Sequence, residues 1–162
     1  MPNAIRFYFL ANWLWKHHIP ILPKLLQLLI FLNYNCSVSY RTHIGKGTKF
    51  SHSGLGVLIN PKVEIGENCM IGNNVSIVGQ GPYKDCPRLG NRVYIGPGAV
   101  IQGPVIIENG VIIAPNAVVN KSVKAGTVVG GIPAKKLGHI SQLDYDIFAN
   151  ESWKEGYKDF IS

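Results

Sequence analysis

Residues 65–130 read IGENCM IGNNVS IVGQGP YKDCPR LGNRVY IGPGAV IQGPVI IENGVI IAPNAV VNKSVK AGTVVG when written in sixes. Nine of the eleven blocks open on Ile, Leu or Val, the last opens on Ala, and the fifth place is mostly Val, Cys or Ala. The second place is repeatedly Gly, Ala, Asn or Glu. A period of six is neither the 3.6 of a helix nor the alternation of an ordinary strand. It follows if each six is one short strand plus a tight corner, with the first and fifth side chains pointing inward. Three such strands close one triangular turn, so the run predicts a mainly β solenoid, a parallel β-helix of about five coils with the apolar places stacked into a continuous core.

Two places break the count. Upstream, Ile44 and Phe50 keep the period, but Ile59 follows Phe50 by nine residues, which puts three extra residues into Ser51–Leu58. Downstream, GQGPYKDCPR (79–88) is loop-like in composition, and the register resumes at Leu89. It is expected to bulge from one corner. Repeat folds host function where they depart from the repeat, so both segments are candidate sites.

Outside the repeat the chain changes character. Residues 4–32 read as helix, with Ile5, Phe9 and Trp13 four apart and Leu10 and Leu14 beside them. Pro20 and Pro23 interrupt the run and permit a second helix from about Pro23 to Leu32. So aromatic a segment is expected to pack on the next element or on another subunit; lying on a membrane surface, helped by Lys16 and Lys24, is the alternative. The chain thus divides into a helical segment (1–36), the repeat (37–138) and a tail (139–162), the last expected to form a short helix docked on the coil. Its Tyr145, Phe148, Trp153 and Tyr157 carry no evident chemistry.

Composition narrows the partners. With only 15% charged residues but 18 Gly and 10 Pro, the chain suits strands and tight turns better than a helical bundle. The net charge of +7 comes from Lys and Arg scattered over turns and tail, which disfavours a nucleic-acid arm and suits an anionic small ligand. Three cysteines without paired spacing do not form a disulfide framework, and neither CxxC nor a His/Cys zinc spacing occurs, so no metal is expected. No signal-peptide pattern opens the chain, and Ile19–Leu32 is too interrupted to span a bilayer. A cytoplasmic setting is expected, with contact to the inner face of the membrane as an option.

The segment IGKGTKFSHSGLGVLINPKVEIGENCMIGNNVSI, followed by CPRLGNRVYIGPGAV and later GGIPAKKL, resembles the hexapeptide-repeat acyltransferases. Within them it is similar to the serine acetyltransferase-like branch, which includes bacterial capsule and exopolysaccharide O-acetyltransferases. The resemblance covers residues 37–138. It implies a left-handed coil, a homotrimer, and acetyl-CoA as co-substrate in a groove between neighbouring coils.

His52 is the candidate general base. Transfer of acetyl to a hydroxyl needs a group with a pKa near the working pH to take the proton as oxygen attacks the thioester, and no covalent intermediate is required. His52 sits in the off-register segment and aligns with the family's catalytic histidine; His17, His18, His43 and His139 have no motif behind them. The family's orienting Asp, fifteen residues upstream, is replaced here by Ser37, and the Asp directly before the base by Ser51. The family's Arg-His before Pro-Lys or Pro-Arg is replaced by Asp85-Cys86 before Pro87-Arg88, which removes cations suited to an amino-acid carboxylate. Those departures point to a sugar or glycan hydroxyl as acceptor, with serine O-acetylation and a non-catalytic scaffold as alternatives. Cys86 has no neighbouring base to activate its thiol, and Cys69 reads as a small core residue. For coenzyme A the resemblance implies small corner residues, Gly98, Ala99, Ala114, Gly130 and Gly131, with Lys135 and Lys136 near the phosphates.

Overall fold

A computed structural model describes residues 2–149. Helix α1 (Ala4–Lys16) starts at Asn3, whose side chain accepts a hydrogen bond from the Ile5 amide at 3.2 Å, the usual way an orphan donor of the first turn is satisfied. Ala4, Ile5, Tyr8, Ala11 and Leu14 recur at helical spacing and are buried. Helix α2 (Leu22–Tyr34) carries Pro23 in its first turn and ends at Asn35 in the left-handed region, φ 48°. The helices pack on each other and on the first coil. There the Tyr8 hydroxyl donates to the Thr42 carbonyl at 2.5 Å and the Asn12 amide to the Tyr40 carbonyl at 2.8 Å.

The repeat folds as expected into three faces of short parallel strands. The first face stacks β1 (Ser37–Val38), β4 (Leu58–Ile59), β7 (Ser76–Val78), β10 (Val100–Gln102) and β13 (Val118–Val119). The second stacks β2 (His43–Ile44), β5 (Glu64–Ile65), β8 (Arg88–Leu89) and β11 (Ile106–Ile107). The third stacks β3 (Lys49–Phe50), β6 (Met70–Ile71), β9 (Tyr94–Ile95), β12 (Ile112–Ile113) and β14 (Thr127–Gly130). Four coils are complete, and the second face of the fifth is a single bridge from Ile107 to Val123. First-place residues Ile65, Ile71, Ile77, Ile95, Ile101, Ile107 and Ile113 are fully buried and stack in three columns, one behind each face, and fifth-place Cys69, Val75, Val93, Val111 and Ala117 fill beside them. Ala4, Ile5, Tyr8 and Ile30 belong to the same cluster, so the helical segment closes one end of this core.

Two expectations are corrected. The block AGTVVG does not turn Ala125 inward; Ala125 is exposed, and Val123 and Val129 pair with Ile107 and Ile113 instead. Val123 follows Val119 by four residues where Ile107 follows Ile101 by six, so two fifth-place valines take the paired places of first-place residues and Ala125 is left outside. The tail also begins differently. Lys135–His139 is a strand, β15, antiparallel to β14, and covers the edge that the last coil would leave open. A single 3-10 turn, Ile140–Gln142, follows, capped by His139 Nδ1 accepting from the Ser141 amide at 3.2 Å. No helix follows over residues 143–149, which hold Tyr145 and Phe148, and the rest of the expected tail helix, with Trp153 and Tyr157, lies outside the described residues.

Candidate active site

The excess of three residues after Phe50 is taken up in a four-residue 3-10 turn, Ser51–Gly54. Inside it His52 (φ 46°) and Ser53 (φ 62°) both occupy the left-handed region, which lifts the exposed imidazole off the coil. A strained backbone of this kind persists only when its surroundings over-determine it. Here the support is visible. Gly54 ends the turn at φ 85°, and a Cβ there would lie 2.8 Å from Phe50 Cδ2 and 3.0 Å from Ala4 Cβ. Asn3 Nδ2 donates to the Phe50 carbonyl at 2.8 Å, tying the start of α1 to the residue before the turn. Leu55 donates its amide to the His52 carbonyl at 3.3 Å.

Ser37 stands where the family's orienting Asp would be. Ser37 donates its amide to the Val57 carbonyl at 2.8 Å and pairs with Leu58, next to the end of the turn, but no hydrogen bond joins it to His52 among the described residues. Ser51 is half-buried where the turn begins.

His52 stands on the corner that joins the third face to the first. The same corner recurs one coil at a time, and backbone bonds link the levels: Asn74 N to Leu55 O, Gly98 N to Asn73 O, and Asn116 N to Pro97 O, each 2.9 Å. Gly98, Ala114 and Gly131 therefore lie along one edge with the base, successive coils being about 4.8 Å apart. That edge can hold an extended ligand against the backbone. Two of the expected cofactor contacts are corrected. Ala99 occupies a fifth place, is 0% exposed and turns its methyl into the core. Gly130 is buried under β15, where an added Cβ would meet Leu137 Cδ1 at 2.8 Å. Lys135 and Lys136 are exposed on β15. Lys136 also lines a cleft of about 350 Å³ with Lys121 and Lys124, a clustering hidden in the sequence because the last coil is shortened. Lys124 is paired there with Glu108 at 2.9 Å, which lowers the pKa of that carboxyl.

The loop 79–87 leaves the corner between the first and second faces, a different edge of the prism from that of His52. One chain does not bring Asp85 and Cys86 to the base. Asp85 is exposed, whereas Cys86 packs against the core at the foot of the loop, its Sγ 3.1 Å from where a Gly79 Cβ would be. Cys36 and Cys69 are buried; burial pushes the Cys36 thiol up to about 12 and raises that of Cys69, so neither is a nucleophile.

The family model described as bacterial transferase hexapeptide (six repeats) matches residues 87–121. A serine acetyltransferase of Helicobacter pylori is 32% identical over 137 residues, 83% of this chain and 80% of that one. The chain belongs to the hexapeptide-repeat acyltransferases, in their serine acetyltransferase-like branch. A family member from Synechococcus elongatus, also a serine acetyltransferase, is 32% identical over 82% of this chain, which spans 55% of it. Among solved structures, the serine acetyltransferase of Brucella abortus in complex with coenzyme A aligns with TM-score 0.77 and 27% identity over 84% of this chain and 55% of that chain. The Vibrio cholerae serine acetyltransferase aligns with TM-score 0.76 and 28% identity over 84% and 53%. The chain spans little more than half the length of the Synechococcus, Brucella and Vibrio proteins.

Proposed function

We propose that this chain is an acetyl-CoA-dependent O-acetyltransferase in which His52 is the general base. The observation that carries the reading is the position of His52: an exposed imidazole on a buttressed off-register turn, at the head of the edge along which Gly98, Ala114 and Gly131 stack. Acetyl-CoA supplies the activated acetyl thioester. The small residues of the edge let a pantetheine arm run close to the backbone, and Lys135 and Lys136 with Lys121 offer cations to its phosphates. His52 accepts the proton of the acceptor hydroxyl as its oxygen bonds to the acetyl carbon, and returns that proton to the sulfur as the carbon–sulfur bond breaks. The products are the O-acetyl ester and free coenzyme A, with no covalent enzyme intermediate.

L-serine is the acceptor that the relatives' names support. A sugar hydroxyl is the second reading, favoured by the exposed carboxylate of Asp85 where a carboxylate-binding cation would be expected. We further propose a homotrimer. The base and the loop 79–87 lie on different edges of one prism, and a threefold arrangement can set the loop edge of one copy beside the base edge of the next. Thiol release from acetyl-CoA, measured with free L-serine and with a panel of sugars and nucleotide sugars, decides the acceptor. Serine turnover with no sugar turnover supports the first reading, the reverse supports the second, and no release with any acceptor refutes transfer to either.

A further inference from the structure

The two helices carry apolar surface that the coil does not use. Leu10 and Trp13 on α1, and Leu25, Leu28, Leu29 and Leu32 on α2, are 48–68% exposed. Proteins that face only water rarely leave so much apolar surface together. Charge accompanies it in one sign only: from Met1 to Val63 the chain has no Asp or Glu, while Arg6, Lys16, Lys24 and Arg41 fall in that stretch. Between α2 and β1 an open cleft of about 570 Å³ brings both properties together, lined by Lys24, Gln27 and Arg41 beside Leu28, Phe31 and Tyr40. No described helix is long and apolar enough to cross a membrane. Leucine and tryptophan on short helices bordered by lysine and arginine are the chemistry of an interfacial anchor, the apolar groups entering the acyl boundary and the cations staying among headgroups.

We propose that the α1–α2 hairpin docks this chain on a lipid bilayer surface carrying anionic headgroups, with Lys24 and Arg41 holding lipid phosphate oxygens at the cleft. A second copy of the hairpin is the poorer occupant. It would set Arg6, Lys16 and Lys24 against their own kind, with no carboxylate in the whole segment to meet them. The docking stands apart from acetyl transfer, because Leu25, Leu29 and Leu32 take no part in the edge that carries His52.

The test is flotation of the full chain with vesicles of phosphatidylcholine alone or with roughly 30% phosphatidylglycerol. Wild type is expected to float with the anionic vesicles, at least about tenfold more strongly than with neutral ones, and to be released by roughly 0.5 M salt. Leu25→Gln/Leu29→Gln/Leu32→Gln should weaken flotation by about tenfold or more with unchanged circular dichroism and solution mass. Lys24→Gln/Arg41→Gln should weaken binding to the anionic vesicles alone. Failure of wild type to float with anionic vesicles overturns the proposal. So does a leucine variant that floats like wild type, or one whose solution mass falls while flotation persists, since a second copy would then cover the face.

Discussion

Replacing Gly54 by alanine tests how the fold holds the base. Two costs are superposed at this position. Its φ of 85° is a conformation that an L side chain adopts only with strain, on the order of 1–2 kcal/mol. The new Cβ would also lie 2.8 Å from Phe50 Cδ2 and 3.0 Å from Ala4 Cβ, and neither buried neighbour can give way without shifting the strand or helix that carries it. Overpacking of that kind costs about 1–3 kcal/mol, so the substitution should destabilise by about 2–5 kcal/mol. Gly110 is the internal control: its φ is 68°, but its Cβ would meet nothing closer than Ile140 Cδ1 at 3.7 Å. Gly110→Ala should therefore show only the conformational part. Urea unfolding of the two variants separates the costs, and thiol release from acetyl-CoA reports the site. Because relief of the crowding must push Phe50 or α1 away from the turn, Gly54→Ala should also lose turnover by about tenfold to a hundredfold, as displaced catalytic groups do. Gly110→Ala should keep it. If Gly54→Ala costs no more stability than Gly110→Ala and turns over like wild type, the buttress described for His52 does not exist.

Three further outcomes follow from particular contacts. Ile95 is fully buried in the column behind the third face, so Ile95→Ala should cost about 2–5 kcal/mol in denaturant unfolding; a cost well under 1 kcal/mol would mean the core is not close-packed. Burial pushes the Tyr8 hydroxyl up to about 12 from its ordinary value of 10. The unfolded chain then loses this proton first as pH rises. Its contribution, about 3 kcal/mol, is full below pH 10 and is lost progressively between pH 10 and 12, and Tyr8→Phe should flatten that part of the stability profile. Finally, Lys121→Gln/Lys136→Gln should raise the KM for acetyl-CoA by about tenfold while leaving kcat near wild type, since the lysines are assigned to uniform binding; an unchanged KM would remove them from the phosphate site.

The coil was legible because every first-place residue from Ile65 to Ile113, Tyr83 excepted, obeys one period, and periodic burial is what a solenoid core demands. Where the period failed, the sequence located the departures but not their shape. The excess after Phe50 showed that His52 stands off the coil, yet nothing in the residue order revealed that Ala4 and Asn3, some fifty positions earlier, close beneath the turn. Long-range packing of that kind leaves no local trace. The last coil misled for the opposite reason. AGTVVG imitates the repeat, and only strand pairing reveals that Val123, two residues early, takes the first-place role expected of Ala125. The same slip brings Lys121 and Lys124 to Lys136. Small residues at corners were equally ambiguous: Gly98 and Gly131 border the edge, whereas Ala99 faces inward and Gly130 lies under Leu137.

Whether His52 takes the hydroxyl proton at this edge is read from the turnover of His52→Ala against binding of coenzyme A by the same protein. Loss of a general base removes about 10²–10⁴ of the rate. A fall of that size in acetyl transfer, with coenzyme A affinity and unfolding midpoint unchanged, is the expected result. Turnover within a few-fold of wild type would contradict it.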